Sequence, residues 1–416
     1  MKKIVIWFIA IGIIMSGIAF AAVFYWKNLR GSWPAIKPPA GNVVNDIEVG
    51  NAVLTLPEDF SISIFAKDIP GARVMKFDGF GNMWISQTKE GIISLVEVQD
   101  GEAVGTHAVL RNLRNPHGLV FDPQNPFMLY FAEEDKISRV GIYSDSEPEK
   151  IADLPAGGEH DTRTLGFGPD GRLYVSIGSS CNACIESDER RAAIYSMNKD
   201  GSDFREFARG LRNAVFFTWS EVDGRMWATE MGRDLLGDDR PPDEINIVVE
   251  GGNYGWPFCY GQNIHDTDFN PVKSLRDNGA SKNTPCVDFL PAYIDLQAHS
   301  APLGVAFVPE STAWPEEYWY DLIVAYHGSW NRTIPTGYKL VRIKLDAFGN
   351  VEGMEDFVTG WLTGEYEALG RPVDIVIQRD GTLYISDDKA GVIYKLNRDG
   401  TKGYNKNYNA RKTLFL

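Results

Sequence analysis

Six stretches of the chain repeat one phrase: a short hydrophobic run, a turn rich in Pro, Asp and Gly, and a second hydrophobic run. They are MKFDGFGNMWISQ (75–87), LVFDPQNPFMLYFAE (119–133), LGFGPDGRLYVSIG (165–178), FFTWSEVDGRMWATE (216–230), GVAFVPES with YDLIVAYHG (304–328) and DIVIQRDGTLYISDD (374–388). Runs of this length bounded by turn residues read as β-hairpins. Six copies predict an all-β fold, a six-bladed β-propeller, with the first run of each copy innermost. A β-sandwich would not explain six copies of one phrase. FSISIFA (60–66) alternates strictly and reads as a further strand. It is expected to close the ring with the last blade, which removes exposed edges.

The copies average 60 residues apart between Phe77 and Ile377, whereas a four-stranded blade needs about 40–50. The surplus is expected in insertions at 233–300 and 310–372, where binding loops would lie on a rigid scaffold. Just ahead of each first run stands an Arg or His: Arg73, His117, His160 with Arg163, Arg212, His299 and Arg371. In a propeller these positions share one end of the central channel. Their convergence predicts an anionic ligand on the axis, in a chain whose net charge is −15.

The 416 residues are 44% hydrophobic, enough for a large core, and 41 basic against 56 acidic residues argue against nucleic acid as a partner. Ile4–Trp26 is uncharged over 23 positions; as a helix it would span roughly 34 Å, a bilayer core. Residues 1–26 therefore read as a signal anchor or as a signal peptide cleaved near Ala19-Phe20-Ala21. Either places the rest outside the cytoplasm, periplasmic or at the cell surface. Residues 27–50 form a Pro/Gly-containing linker, 51–400 the propeller and 401–416 a C-terminal tail. Four cysteines suit an oxidising compartment. Cys181–Cys184 and Cys259–Cys286 are the simplest pairing of three possible, with zinc the alternative for the Cys181-Asn-Ala-Cys184 motif.

His160 lies in GGEHDTR, a polar loop leading into the third copy, where a histidine flanked by Glu159 and Asp161 suits a general base. The carboxylate-rich stretch Glu230–Asn246 offers oxygen ligands to Ca²⁺ without matching an EF-hand. His327-Gly-Ser-Trp-Asn-Arg332 follows the fifth copy's second run. It is expected to fold over the channel mouth, where Trp330 would cover a planar ligand.

Taken together, HDTRTLGFGPDGRLYVSIG, ARGLRNAVFFTW and EINIVVEGGNYGWPFCYG resemble the glucose/sorbosone dehydrogenase family of six-bladed propellers that carry pyrroloquinoline quinone (PQQ). The HSAPLG, HGSWNR and GRPVDIVIQRDGTLYISDD stretches resemble its membrane-associated, sorbosone-dehydrogenase branch. The resemblance implies His160 as the base that takes the sugar hydroxyl proton while hydride moves to the quinone. It implies Arg212 and Asn213 on the quinone oxygens, and Arg371 on a PQQ carboxylate. The family's second arginine, two residues on, is Val373 here. Arg332, His327 or His299 are candidates to replace it, with His117, Arg163 and Trp330 also assigned to the cofactor. The family's Ca²⁺ is held by carbonyls of a Gly-Pro pair, which here is Gly232-Arg233.

The expected activity is PQQ- and Ca²⁺-dependent oxidation of an aldose or related hydroxy-aldehyde, such as glucose or sorbosone. CxxCH is absent, so electrons would pass to a separate acceptor, a membrane quinone or a cytochrome. A non-catalytic extracytoplasmic propeller that binds a sugar or protein is the alternative, and a propeller metal hydrolase a third.

Overall fold

The computed structural model describes residues 2–26, 54–144, 146–269, 286–310, 313–364 and 366–398. The linker 27–50 and the tail 401–416 lie outside the described residues. The expected N-terminal helix is present, Lys2–Phe24. Among the described residues no helix is long and apolar enough to cross a membrane, so anchoring keeps only its support from the uncharged run in the sequence.

Six antiparallel sheets follow one another around a ring, and each hydropathic phrase supplies the first two strands of one sheet. Blade I is Ala72–Phe77, Met83–Gln87, Ile92–Gln99 and Glu102–Leu110. Blade II is Leu119–Asp122, Asn125–Ala132, Lys136–Gly141 and Glu149–Asp153. Blade III is Leu165–Phe167, Leu173–Ile177, Ala193–Met197 and Arg205–Arg209, extended by parallel pairing with Gly252–Asn253. Blade IV is Phe217–Trp219, Met226–Glu230, Asp243–Val248 and Ile294–Leu296. Blade V is Pro302–Phe307, Leu322–Tyr326, Lys339–Leu345 and Val351–Val358. Blade VI is Pro372–Ile377, Leu383–Asp387 and Val392–Arg398, completed by Phe60–Ala66 from the start of the domain.

That last pairing, antiparallel with Phe60 opposite Arg398, closes the ring as the alternating pattern of 60–66 predicts. The stretch 310–372 departs from its expectation. It is no insertion but holds three of blade V's four strands, because the fifth copy's own turn is long. The stretch 233–300 does carry an insertion, between the last two strands of blade IV, with a small hairpin Cys259–Tyr260/Ile264–His265.

The repeated aromatics join neighbouring blades. An aromatic on a blade's second strand meets, edge to face, an aromatic on the next blade's first: Trp84 with Phe121, Tyr130 with Phe167, Tyr174 with Trp219, Trp227 with Phe307, and Tyr384 with Phe77. Each such pair contributes about 0.5–1.5 kcal/mol beyond area burial, which is why the phrase keeps its aromatic positions. Toward the axis Val74, Leu119, Val215, Leu303 and Val373 join one buried cluster. Residues just ahead of the first strands therefore stand at a channel mouth above a packed apolar floor.

Candidate functional site

The mouth is a pocket of about 470 Å³ lined by Arg73, Thr88 and Lys89 of blade I, Asn115 ahead of blade II and Asp161 and Thr162 ahead of blade III; His327 of blade V and Arg371, Asp388 and Lys389 of blade VI complete it. Four basic side chains face two carboxylates there, a positive opening on an acidic protein. A larger pocket, about 570 Å³, lies at the opposite end among turns that follow the first strands, with Glu221, Asp223, Glu310 and Asp346 on its walls. Its acidic lining disfavours an anion, so the smaller pocket is the candidate site.

Two series of residues line the mouth. One precedes the first strand of each blade, as the sequence predicts. The other follows the second strand, which an antiparallel hairpin returns to the same end. Thr88-Lys89 and Asp388-Lys389 occupy matching turns of adjacent blades, in QTKEG and DDKAG. This second series escaped the sequence analysis, apart from His327. The recurring lysine ahead of Gly91 and Gly391 was the signal.

His160 is the best-defined base. Its Nδ1 lies 2.9 Å from the Ser179 carbonyl oxygen and 2.8 Å from Ser179 Oγ. A carbonyl only accepts, so Nδ1 carries the proton and Nε2 keeps its lone pair. Burial, then the charge of Arg212, lowers its pKa to about 3, and the imidazole is neutral at pH 7. Neither Glu159 nor Asp161 orients it; Ser179 does, held in turn by a bond from its hydroxyl to the Cys181 carbonyl. Gly178 lies between His160 and Asn213: a Cβ there would be 2.6 Å from His160 Cβ and 2.7 Å from Asn213 Oδ1.

Arg212 is buried and donates to the Asn182 carbonyl (2.7 Å), Asn182 Oδ1 (3.0 Å) and the carbonyls of Met231 (3.2 Å) and Gly232 (3.0 Å). Asn182 sits inside the loop closed by the Cys181–Cys184 disulfide, so the expected bridge immobilises the partner of Arg212. The second expected disulfide, Cys259–Cys286, is also formed. The zinc alternative is thereby corrected: Cys181, Cys184 and Glu186 cluster, but the two sulfurs are bonded to each other.

The ring of basic groups is less uniform than its spacing suggests. His117 is 0% exposed, packed against Phe216 with Nδ1 3.3 Å from Thr164 Oγ1; burial depresses its pKa well below the usual histidine range. Arg163, also 0% exposed, donates to the carbonyls of Pro155, His160 and Thr162. Both hold the base loop and its neighbours rather than face the pocket. Short offsets place a residue at the correct end of a strand without fixing which way it points.

His299 and Arg332 also turn away from the mouth. His299 donates from Nε2 to the Gly237 carbonyl at 2.8 Å, with Nδ1 3.7 Å from Asp234. Burial opposes its charge, but Asp234 and that carbonyl raise its pKa. Arg332 binds the Ala298 carbonyl and Asp239, and Asn331 binds Asp234. The HGSWNR loop therefore docks on the 234–239 loop, leaving Trp330 52% exposed.

His327 and Arg371 do line the mouth. His327 donates from Nε2 to Asp388 at 2.9 Å; burial, then Arg371, lowers its pKa to about 4. Arg371 donates to the carbonyls of His327 (3.1 Å) and Gly328 (2.7 Å). Val373, where the resemblance calls for a second arginine, is buried in the axial floor.

The residues assigned to metal fit it poorly. Gly232's carbonyl already accepts from the Arg212 guanidinium, an environment that disfavours a divalent cation. Arg233 pairs with Asp266 (2.7 Å) and Asp268 (3.1 Å). In the carboxylate-rich stretch, burial raises Asp243 to about 6 and Glu244 to about 7. Asp243 accepts backbone N–H bonds from Gly232 and Ala301, and Glu244 one from Gly261; these oxygens fasten loops rather than form a cage.

Comparison with known proteins agrees with this architecture. A protein of Borreliella burgdorferi, itself uncharacterised, is 30% identical over 364 residues, 83% of this chain and 91% of that protein. The PQQ-dependent sugar dehydrogenase of Hypocrea jecorina is 23% identical over 285 residues, 59% of this chain and 64% of that enzyme. The holo PQQ domain of pyranose dehydrogenase from Coprinopsis cinerea superposes with a TM-score of 0.68 at 19% identity, over 88% of this chain and 99% of that domain. The family described as TrAA12-like matches residues 54–399, essentially the whole propeller, and the chain belongs to it.

Proposed function

We propose that the protein is a PQQ-dependent oxidoreductase that oxidises an aldose or related hydroxy-aldehyde at the channel mouth. The observation that carries this reading is His160: neutral, tautomerically fixed by Ser179, with no hydrogen bond to Nε2 among the described residues. It is next in the chain to Asp161 and Thr162 on the wall of the positively lined pocket, although His160 is not itself on that wall. The pocket suits a flat tricarboxylate, since basic side chains outnumber carboxylates two to one on its wall.

When bound, PQQ supplies the two-electron acceptor; the protein's own groups do the rest. His160 Nε2 takes the proton of the substrate hydroxyl, and Nδ1–H stays on Ser179, which steadies the imidazolium as it forms. Arg212 and Asn213 place positive charge and amide dipole beside the base, where negative charge develops on the acceptor's oxygens. Arg371 receives a carboxylate. Calcium is proposed only as an accessory: at the Gly232 carbonyl a divalent cation would stand close to the Arg212 guanidinium already bound there, and like charges oppose it. Two disulfides support an extracytoplasmic site, and electrons leave to a separate acceptor, a membrane quinone or a cytochrome.

The test is an absorbance titration of the purified protein with PQQ, with and without Ca²⁺, followed by dye reduction over a panel of sugars. His160→Ala is expected to keep cofactor binding and lose about 10²–10⁴-fold in turnover. No PQQ binding under any condition would refute the reading; unchanged turnover would remove His160 as base.

A further inference from the structure

Asp388 is the unexpected member of the mouth. Its Oδ2 is 2.8 Å from Arg73 Nη1 and its Oδ1 2.9 Å from His327 Nε2, and its side chain is 14% exposed. A carboxylate of the protein thus occupies two of the groups that would otherwise grip a carboxylate of the ligand. Arg371, by contrast, spends Nε and Nη2 on backbone carbonyls and keeps Nη1 without a protein partner among the described residues. Lys89 and Lys389 are exposed on the same wall, and neither ammonium group makes a hydrogen bond or ion pair among the described residues, the Lys389 backbone N–H alone being bound, to Asp387 at 3.0 Å. Blades I and VI are neighbours in the ring, their first strands in contact. The two lysines, at matching turn positions, flank one side of the pocket.

We propose that Asp388 is a resident competitor that takes Arg73 and His327 out of ligand binding, so that a ligand's carboxylates are received by Arg371, Lys89 and Lys389. This rests on the PQQ reading above and supplies the partner that Val373 cannot be. Charge balance gives the direction. With Asp388 charged, the four basic groups of the wall are opposed by two carboxylates. Asp388→Asn removes one of these, frees Arg73, and releases His327 from its anionic acceptor. Lys89→Gln with Lys389→Gln removes two unpaired ammonium groups and disturbs no internal contact.

The test is a PQQ titration by absorbance or calorimetry on the full-length wild type and both variants. Asp388→Asn is expected to bind about tenfold more tightly, which is about 1.4 kcal/mol. The double lysine variant is expected to bind about ten- to a hundredfold more weakly. Both effects should shrink in high salt, since partly exposed charges are screened. Affinity unchanged or weakened in Asp388→Asn, with the wild type binding, overturns the competitor role. Unchanged affinity in the lysine variant overturns the receptor assignment. Absence of binding in the wild type overturns the PQQ reading itself, a distinct outcome. The exposed lysines keep the second arm informative even if Asp388→Asn folds poorly.

Discussion

Gly178→Ala places a methyl group between the base and its neighbour. The added carbon would sit 2.6 Å from His160 Cβ and 2.7 Å from Asn213 Oδ1, roughly 1 Å inside ordinary contact distances of about 3.5–4.0 Å. Ser179, which follows, fixes His160 Nδ1, and the Asn213 backbone N–H is fixed by Glu230 at 2.9 Å. His160 cannot retreat without straining its bonds to Ser179, and the Asn213 amide can turn away only by leaving Met231 Sδ at 3.7 Å, so one of the two is displaced by close to that 1 Å. Overpacking of this kind costs about 1–3 kcal/mol of stability, whereas a 1 Å misplacement of a reacting group costs about 10²-fold in rate. The variant should therefore stay folded at assay temperature, bind PQQ, and turn over about a hundredfold more slowly. Thermal unfolding followed by circular dichroism and steady-state dye reduction separate the two quantities. Turnover within twofold of wild type would refute the claim that the base and Asn213 are held in register across Gly178.

Other outcomes follow from the same geometry. In the fold His160 titrates at about 3 and His327 at about 4, against about 6.5 in an unfolded chain. The unfolded chain binds more protons between those values, so stability is lost as pH falls from about 6.5 toward 4; His160→Gln should make that loss shallower in a melting-temperature series, and an identical slope would contradict the shift. The Cys259–Cys286 bridge spans 27 positions, so replacing both cysteines with serine should cost about 3–4 kcal/mol in denaturant unfolding; a change under 1 kcal/mol would show the loop is held otherwise. Phe60 packs against Trp314, Tyr318 and Phe357, and Phe60→Ala should cost about 3–5 kcal/mol by loosening the strand that closes the ring, read as a drop in melting temperature with no change in sugar preference.

The architecture was legible because it is repetitive. A hairpin phrase written six times carries its own strand order, and the 60–66 alternation announces the closing strand. The disulfides were legible from four cysteines in two separated pairs. The site was read less completely. His160, Arg212, Asn213 and Arg371 stand ahead of first strands as counting predicts, but of these Arg371 alone lines the mouth. Asp388, Lys89 and Lys389 lie on the return of the hairpin, one strand and a turn later, and only the backbone's reversal brings them to the mouth. His117 and Arg163 show the converse error: they stand at the correct offset but face inward. In a short strand with side chains on alternate faces, a count of residues fixes height along the axis and leaves direction open. Asp234 could not have been found by counting, because its partners Arg212, His299 and Asn331 come from three separate loops.

Thr55 bridges to Thr359, just past the end of blade V's outermost strand. Tracing that strand back through its partners puts Thr359 level with Pro302 and Tyr326, on the same side of the disc as the cationic opening. The described part of the propeller therefore begins, at Thr55, on the side of the proposed cofactor opening. Were the N-terminal helix to lie at a lipid surface, an entry point on this side would favour an opening that faces the lipid. An electron carrier confined to that surface would then have a shorter route to a cofactor seated in the opening than one arriving from bulk solution.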